Sequence, residues 1–343
     1  MKRRATVDRT GTVSRLGWLA AGGMITVALI RTLANETRPL LVGVQGIAVW
    51  LLVPAYPLLA GTAIQLARRS GGRSRSTGRR PPLALAAIAA GLVTVQGLLL
   101  VTAVGRRGPR TAPPGSLLLR IVSANLLVHN TEVAALAQEL LATDADLLVL
   151  QEVTPTHLAT LRLSPLGKAY PHQMLDARTG YHGSAIFSRF AIEGGGPITV
   201  AGFPMLEAEL TTPAGPLRLI NVHAAAPVDH VNTVIWRRQY AELARTAATA
   251  TIPLLLAGDF NATLDHAPLR RLLAAGLRDA FVEAGRGLGA TWPSWNGLVP
   301  PVMRIDHVLV GRQISVVKVI DQKSAGSDHR RLVVDLALPL APV

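Results

Sequence analysis

The chain is 343 residues long, 49% of them apolar and none of them cysteine, and it carries a formal net charge of +14. The lack of cysteine excludes disulfides, a thiol nucleophile and any cysteine-held metal. The charge is confined: residues 1–115 hold 16 Lys and Arg against 2 Asp and Glu, whereas residues 116–343 hold 19 of each. Apart from any local patch, the C-terminal part therefore has no overall cationic field to gather a polyanion.

The N-terminal third contains three apolar runs, at about 16–33, 39–66 and 83–104. A membrane span needs roughly 20 apolar residues. The second run contains Pro54 and Pro57, the third has no charge at all, and the first ends near Arg31, which can snorkel. Lys2, Arg3, Arg4, Arg9 and Arg15 precede the first run, and Arg68, Arg69, Arg73, Arg75, Arg79 and Arg80 separate the second from the third. The connection Ala34–Arg38 carries only Glu36 and Arg38. The positive-inside rule places the N-terminus and the 67–82 loop in the cytoplasm. Three crossings then predict a multi-pass plasma-membrane protein whose C-terminal domain is extracytoplasmic. Arg106, Arg107 and Arg110 work against that orientation. One competing reading is a cleavable signal peptide at the first run, but no small-residue cleavage site follows it. The other is a helical hairpin buried in a soluble protein, which the uncharged third run opposes. Residues 1–104 read as a membrane anchor, 105–116 as an extended Gly/Pro/Arg linker, and 117–343 as one large domain.

Within that domain Leu117–Ser123 is a β-prone run that ends at Ala124-Asn125. Val133, Leu136, Ala137 and Leu140 have helical spacing, predicting a helix over Thr131–Ala142 capped by Thr131. Asp146 to Glu152, DLLVLQE, reads as a buried strand ending in a carboxylate. Pro155–Leu163 reads as a short helix, and Tyr170–Leu175 and Gly183–Ser188 as strands. Tyr181-His182 before the second of these can touch substrate or line a surface loop. Ile192–Val200, Met205–Thr211 and Leu217–His223 follow as successive strands, whose order predicts antiparallel pairing. The last ends in Asn221-Val222-His223, where His223 alone reads as structural or solvent-facing. Residues 229–248 form a long helix.

Pro253–Asn261, PLLLAGDFN, is the pivotal stretch. Its apolar run reads as a strand buried on both faces. Gly258 ends it, and Asp259 and Asn261, two apart, point to one side of an extended tip. A carboxylate and an amide so placed suit a hard cation or a phosphate oxygen, although Gly, Asp and Asn are also ordinary turn residues. Asp265–Leu273 then reads as a helix, Gly285–Gly289 as a loop, and Thr291–Trp295 as a compact aromatic loop. Arg304–Val310 is a strand with Asp306 early in it. Ser327-Asp328-His329-Arg330 precedes the final strand, Leu332–Leu338.

Asn125, Gln151-Glu152, Asn221-Val222-His223, Gly258-Asp259-Phe260-Asn261, Arg304-Ile305-Asp306 and Ser327-Asp328-His329 thus occur in this order. Over residues 117–338 the set resembles the endonuclease/exonuclease/phosphatase superfamily, the deoxyribonuclease I-like fold. The resemblance implies an α+β domain: a two-sheet β sandwich flanked by helices in four αββα layers, here preceded by three transmembrane helices. It implies that Glu152 is the main Mg²⁺ ligand, with Mn²⁺ as a substitute, that Asn125 lies close by, and that Asp328 is a second metal-side carboxylate. It implies that Asp259 and Asn261 position the nucleophilic water and the phosphate, that His329 faces the phosphate, that Asp306 orients it, and that His223 is a further site residue. Whether His329 is base, acid or electrostatic clamp stays open, with Asp259 the other candidate base. Two positions depart from the family pattern: Leu127, where some members carry an acidic residue, and Arg331, where proline is common.

The function this implies is a membrane-tethered, Mg²⁺-dependent phosphoesterase that cleaves phosphodiester bonds in a nucleic acid or a phospholipid head group, with the lipid bilayer as its other partner. The alternative is a catalytically degenerate, membrane-anchored binding or scaffold protein of the same fold, for which Leu127 and Arg331 are the support.

Overall fold

The structure, a computed structural model, describes residues 9–33, 36–71, 80–104, 111–285, 287–295 and 300–340. The chain divides into two compact units, Met1–Asn35 with Gly43–Val101, and Glu36–Val42 with Thr102–Val343. The expected linker lies largely at 105–110, outside the described residues.

The first unit is helical. Its elements are α1 (Arg9–Leu33), α2 (Pro39–Gly46, whose first four residues belong to the second unit), α3 (Ala48–Leu51), α4 (Ala55–Gly71) and α5 (Arg80–Val104). Arg15–Leu33, Ala48–Arg68 and Leu83–Val101 are long and apolar enough to cross a membrane, with mean hydropathies of 1.5, 1.5 and 2.2. The second candidate span begins at Ala48 rather than 39, because Pro39–Gly46 is a helix of its own. Pro54 lies between α3 and α4, where its missing N–H and ring end the helical ladder. Met24, Leu52, Ala55, Leu92 and Leu99 make the core of this unit.

The second unit contains, in chain order, β1 (Ser116–Asn125), α6 (Val133–Leu141), β2 (Leu147–Gln151), α7 (Pro155–Leu163), α8 (Pro165–Ala169), β3 (His172–Asp176), β4 (Ser184–Ser188), β5 (Ala191–Val200), β6 (Phe203–Thr212) and β7 (Gly215–His223). There follow α9 (His230–Ala248), β8 (Leu254–Asp259), α10 (Ala267–Ala274), β9 (Arg278–Asp279), α11 (Ala280–Ala284), β10 (Asp306–Val310), β11 (Ser315–Lys323) and β12 (Arg330–Pro339). They form two six-stranded mixed sheets, in the orders β11-β12-β1-β2-β4-β3 and β5-β6-β7-β8-β10-β9.

The four layers follow from the period of two along a strand. In β1 the odd residues Leu119 and Ile121 join Leu147, Val149, Leu219, Leu255, Ala257 and Val308 in the core between the sheets. The even residues Val122 and Ala124 pack outward with Leu148 and Leu150 on Leu136 and Leu140 of α6. In the other sheet Ile220, Val222, Leu254 and Leu256 pack outward on Trp236, Tyr240 and Leu243 of α9. A strand covered on both faces needs no polar residue until its end, so DLLVLQ and LLLAGD read as unbroken apolar runs.

Candidate active site

Register brings the polar ends together. β1 and β2 run parallel with Asn125 beside Gln151, and β7 and β8 run parallel with His223 beside Asp259. Their C-terminal ends therefore share one end of the sandwich. β12 lies antiparallel to β1, which brings its preceding residue His329 to the same end, and β10 lies antiparallel to β8 with Asp306 opposite Asp259. Gly258 is required where β7 and β8 approach: its φ is 148°, and a Cβ there would overlap the Val222 carbonyl oxygen.

The side chains make one hydrogen-bonded group. Asn125 Nδ2 donates to Glu152 Oε1 at 3.0 Å and to Asp259 Oδ2 at 3.2 Å, bridging the two sheets. Glu152 Oε2 accepts from the Val128 amide at 2.7 Å, and Asp259 Oδ1 from the Asn261 amide at 2.9 Å. Asn261 Nδ2 donates to Ala224 O at 2.9 Å. His329 Nδ1 is 2.9 Å from Asp306 Oδ2, and its Nε2 lies 3.7 Å from Asp259 Oδ2. His223 Nε2 lies 3.9 Å from the same Asp259 oxygen and 4.0 Å from Glu152 Oε1. Asp328 accepts from Trp292 Nε1 at 2.9 Å and lies 4.0 Å from His329. Glu152, Asn261 and Leu127 adopt left-handed φ values of 57°, 48° and 64°. Each costs roughly 1–2 kcal/mol, offset here by the hydrogen bonds that hold the tips.

Electrostatics follow from burial and these neighbours. Burial opposes the charged form of His329, but Asp306 and Asp259 outweigh it and raise the ring to about 10. Burial raises the Asp259 carboxyl above the ordinary range, and the Asp306 charge adds to it, against the pull of His329 and His223.

A model of the endonuclease/exonuclease/phosphatase family matches residues 122–329, which is more than half of the chain. The chain belongs to this family. Solved structures with the same fold include an endonuclease/exonuclease/phosphatase family protein from Bacteroides thetaiotaomicron, with TM-score 0.53 and 18% identity, covering 66% of this chain and 99% of that one. TDP2 from D. rerio, complexed with a single-strand DNA product, has TM-score 0.53 and 19% identity over 64% of this chain and 98% of that one. A mannosyl-6-phosphatase from B. thetaiotaomicron has TM-score 0.50 and 18% identity over 64% and 99%. Among curated proteins none matches significantly.

Endonuclease/exonuclease/phosphatase members are phosphoester hydrolases that typically use a divalent metal, and the donor set here fits one. Carboxylate oxygens dominate it, as a hard cation prefers. Among the described residues Asp306 Oδ1 and Asp328 Oδ1 are buried without a hydrogen-bond partner. Two overlapping groups are candidates. Asp259, Asp306 and His329 offer ligand atoms within 4.8 Å of one another. The resemblance points instead to Glu152 with Asn125 and Asp328. Asn125 joins the groups through its bonds to Glu152 and Asp259.

Both departures from the family pattern have local accounts. Arg331 pairs with Glu139 at 2.6 Å and donates to Lys323 O, bracing β12 against α6. Leu127 contributes its backbone, donating to Asn125 Oδ1 at 2.9 Å.

The structure also shows site residues that the sequence reading passed over. His307 Nε2 donates to Ala262 O at 2.8 Å, and its Nδ1 faces Asp279 Oδ2 at 2.6 Å. Burial opposes the charge on Asp279, but Arg304 and His307 hold the carboxyl far below its ordinary range. Trp236 Nε1 and Tyr240 Oη both donate to Phe260 O. His182, named in the sequence as a residue that can touch substrate, packs edge-on against Phe203 and lies 6.4 Å from the His223 ring.

Proposed function

We propose that this chain is a membrane-tethered, divalent-cation-dependent phosphoesterase that hydrolyses phosphodiester bonds with its catalytic unit outside the cytoplasm. The observation that carries the reading is Asp259: one of its oxygens lies 3.2 Å from Asn125, 3.7 Å from His329 and 3.9 Å from His223, among groups from both sheets. Glu152 with Asn125 and Asp328 would hold Mg²⁺, or Mn²⁺ in its place, which would supply charge relief to non-bridging phosphate oxygens. Asp259, fixed by the Asn261 amide, orients the attacking water, and its raised affinity for a proton suits it as the base. His329, kept cationic by Asp306, clamps the phosphate and holds a proton at Nε2. His223 offers a second imidazole nitrogen on the same face of Asp259.

The substrate is a nucleic acid or a phospholipid head group. The neutral charge of residues 116–343 and the three apolar helices favour the head group. The test is a panel on the full chain in detergent, with Mg²⁺, Mn²⁺ or EDTA: plasmid DNA, RNA, sphingomyelin, phosphatidylinositol phosphates, a bis-aryl phosphate and a sugar monophosphate. Metal-dependent turnover abolished by His329→Ala is expected. Silence across the panel from folded, metal-binding protein would refute the reading.

A further inference from the structure

The second unit is built from two pieces of chain, and the smaller, Glu36–Val42, comes from the stretch between the first two candidate spans, Arg15–Leu33 and Ala48–Arg68. Glu36 is buried, and its Oε1 accepts from the Ala267 amide at 2.8 Å, at the start of α10. The α10 N-cap residue, His266, makes no side-chain capping bond of its own, so Glu36 serves one of the free amides from 231 residues away. Thr37 O faces His230 Nδ1 at 3.2 Å at the start of α9. Val42 is buried in the core cluster that holds Trp236, Tyr240, Phe260 and Leu269.

His266 joins this segment to the catalytic loop. The Thr263 amide donates to His266 Nδ1 at 2.9 Å, so that nitrogen carries no proton. The proton is therefore on Nε2, which donates to Val42 O at 2.9 Å. The ring is buried and packs edge-on against Trp236, centroids 5.4 Å apart, and Trp236 in turn donates to Phe260 O. Thr263 is two residues beyond Asn261. The loop after β8 is thus held at three successive points: Phe260 O by Trp236 and Tyr240, Ala262 O by His307, and the Thr263 amide by His266. The Glu36–Val42 segment fixes the third.

We propose that His266 is a positioning residue for the Asp259–Asn261 loop and that Glu36–Val42 is the strap that sets it, so that a catalytic unit cut free of residues 36–42 has a misplaced loop. Contact between the strap and the domain also requires both on one face of the membrane. Three crossings satisfy this by parity, since the connection after the first and the chain after the third emerge on the same side. The effect on turnover rests on the phosphoesterase reading; the effect on the loop does not.

The two nitrogens can be separated by substitution in the full chain in detergent. His266→Asn keeps an acceptor near Nδ1 and loses the reach to Val42, whereas His266→Gln keeps a donor near Nε2 and loses the acceptor for Thr263. Glu36→Ala frees the strap without touching the ring. Hydrogen exchange followed by mass spectrometry is read over 36–42 and 259–267. Glu36→Ala and His266→Asn are expected to raise exchange in both segments by about tenfold, the scale of one lost buried hydrogen bond, and His266→Gln to raise it over 259–267 alone. With turnover on a bis-aryl phosphate, kcat is expected to fall about tenfold with KM within twofold. The chain has no cysteine, so Thr37→Cys with His230→Cys, positions whose backbone and ring meet at 3.2 Å, gives a unique pair for a short thiol cross-linker while leaving Glu36, Val42 and His266 in place, and bridging is expected. Unchanged exchange over 259–267 after Glu36→Ala, or no bridging, overturns the proposal. Altered exchange and bridging in a protein that never turns over substrate supports the strap and removes the phosphoesterase reading instead.

Discussion

Asp306→Asn tests the electrostatic core of the site. Asp306 is buried, and its Oδ2 lies 2.9 Å from His329 Nδ1. The ring is raised from 6.5 to about 10, a preference for the charged form of roughly 5 kcal/mol at about 1.4 kcal/mol per unit. Asp259, 3.7 Å from the other nitrogen, supplies part of it. We assign about 2–3 kcal/mol to Asp306, at or below the usual cost of breaking a buried pair. The folded value lies above the unfolded one, so the contribution is complete below pH 6.5 and is lost as pH rises through about 10. Denaturant unfolding of wild type and Asp306→Asn, followed by tryptophan fluorescence at pH 7 and pH 10.5, should show about 2–3 kcal/mol between them at the lower pH and less than about 1 kcal/mol at the higher. The helical unit is common to both proteins and cancels. An equal difference at both pH values would mean that His329 is neutral at pH 7, and the clamp role would fall. Turnover should drop by about 10²–10⁴, the usual worth of a positioned proton-transfer group.

Glu152→Gln removes the carboxylate charge and leaves one oxygen to accept from Asn125 or Val128, with its NH2 facing the other donor. Mn²⁺ affinity by titration calorimetry should weaken at least about tenfold, with a loss of about 1–3 kcal/mol in denaturant unfolding without metal from the donor left unpaired. Tyr240→Phe removes one of two donors to Phe260 O and should cost about 1 kcal/mol in denaturant unfolding; no change would mean that Trp236 alone holds the carbonyl. If DNA is the substrate, the balance of 19 basic and 19 acidic residues over 116–343 predicts a shallow fall of activity with salt, and a steep log–log slope would point to a local cationic groove. Arg38→Cys should react with a membrane-impermeant maleimide on intact cells and Ser76→Cys only after permeabilisation; the reverse pattern would invert the topology.

Elements buried on both faces were the most legible. β2 and β8 could be placed from DLLVLQ and LLLAGD because nothing polar interrupts them, and the carboxylate after each marks where the chain leaves the core. β11 was missed: SVVKVIDQK alternates only in part and lies at a sheet edge. The helix expected over Thr131–Ala142 runs Val133–Leu141, and Thr131 makes no cap; Asn130 Oδ1 accepts from the Glu132 amide instead. The helix expected from Asp265 begins at Ala267, where its amide partner is Glu36, and no local pattern reveals a partner that distant. His307 sits in an apolar strand and reads as an ordinary core residue until Asp279 and Ala262 are seen on either side of it. Local sequence shows which residues end a strand, but not which distant group holds the loop that follows.

The topology accounts for the charge at the site. Each sheet carries a parallel pair, β1–β2 or β7–β8, flanked by an antiparallel strand, β12 or β10. Two C-terminal ends and one N-terminal end then meet on each side without a long loop. That arrangement delivers Glu152, Asp259, Asp306 and Asp328 to one place, with the His329 cation and the His223 ring beside them. Four carboxylates against one raised imidazole is a costly burial in a medium where charges are weakly screened. A hard dication bound among them would relieve it. Neither the raised proton affinity of Asp259 nor the oxygens of Asp306 and Asp328 that lack a partner among the described residues serve the fold. They suit the proposed phosphoester hydrolysis, which asks for a base near neutrality and oxygen donors for a metal, held by a sandwich whose core is apolar apart from the buried Gln151–Asn221 pair that joins its two sheets.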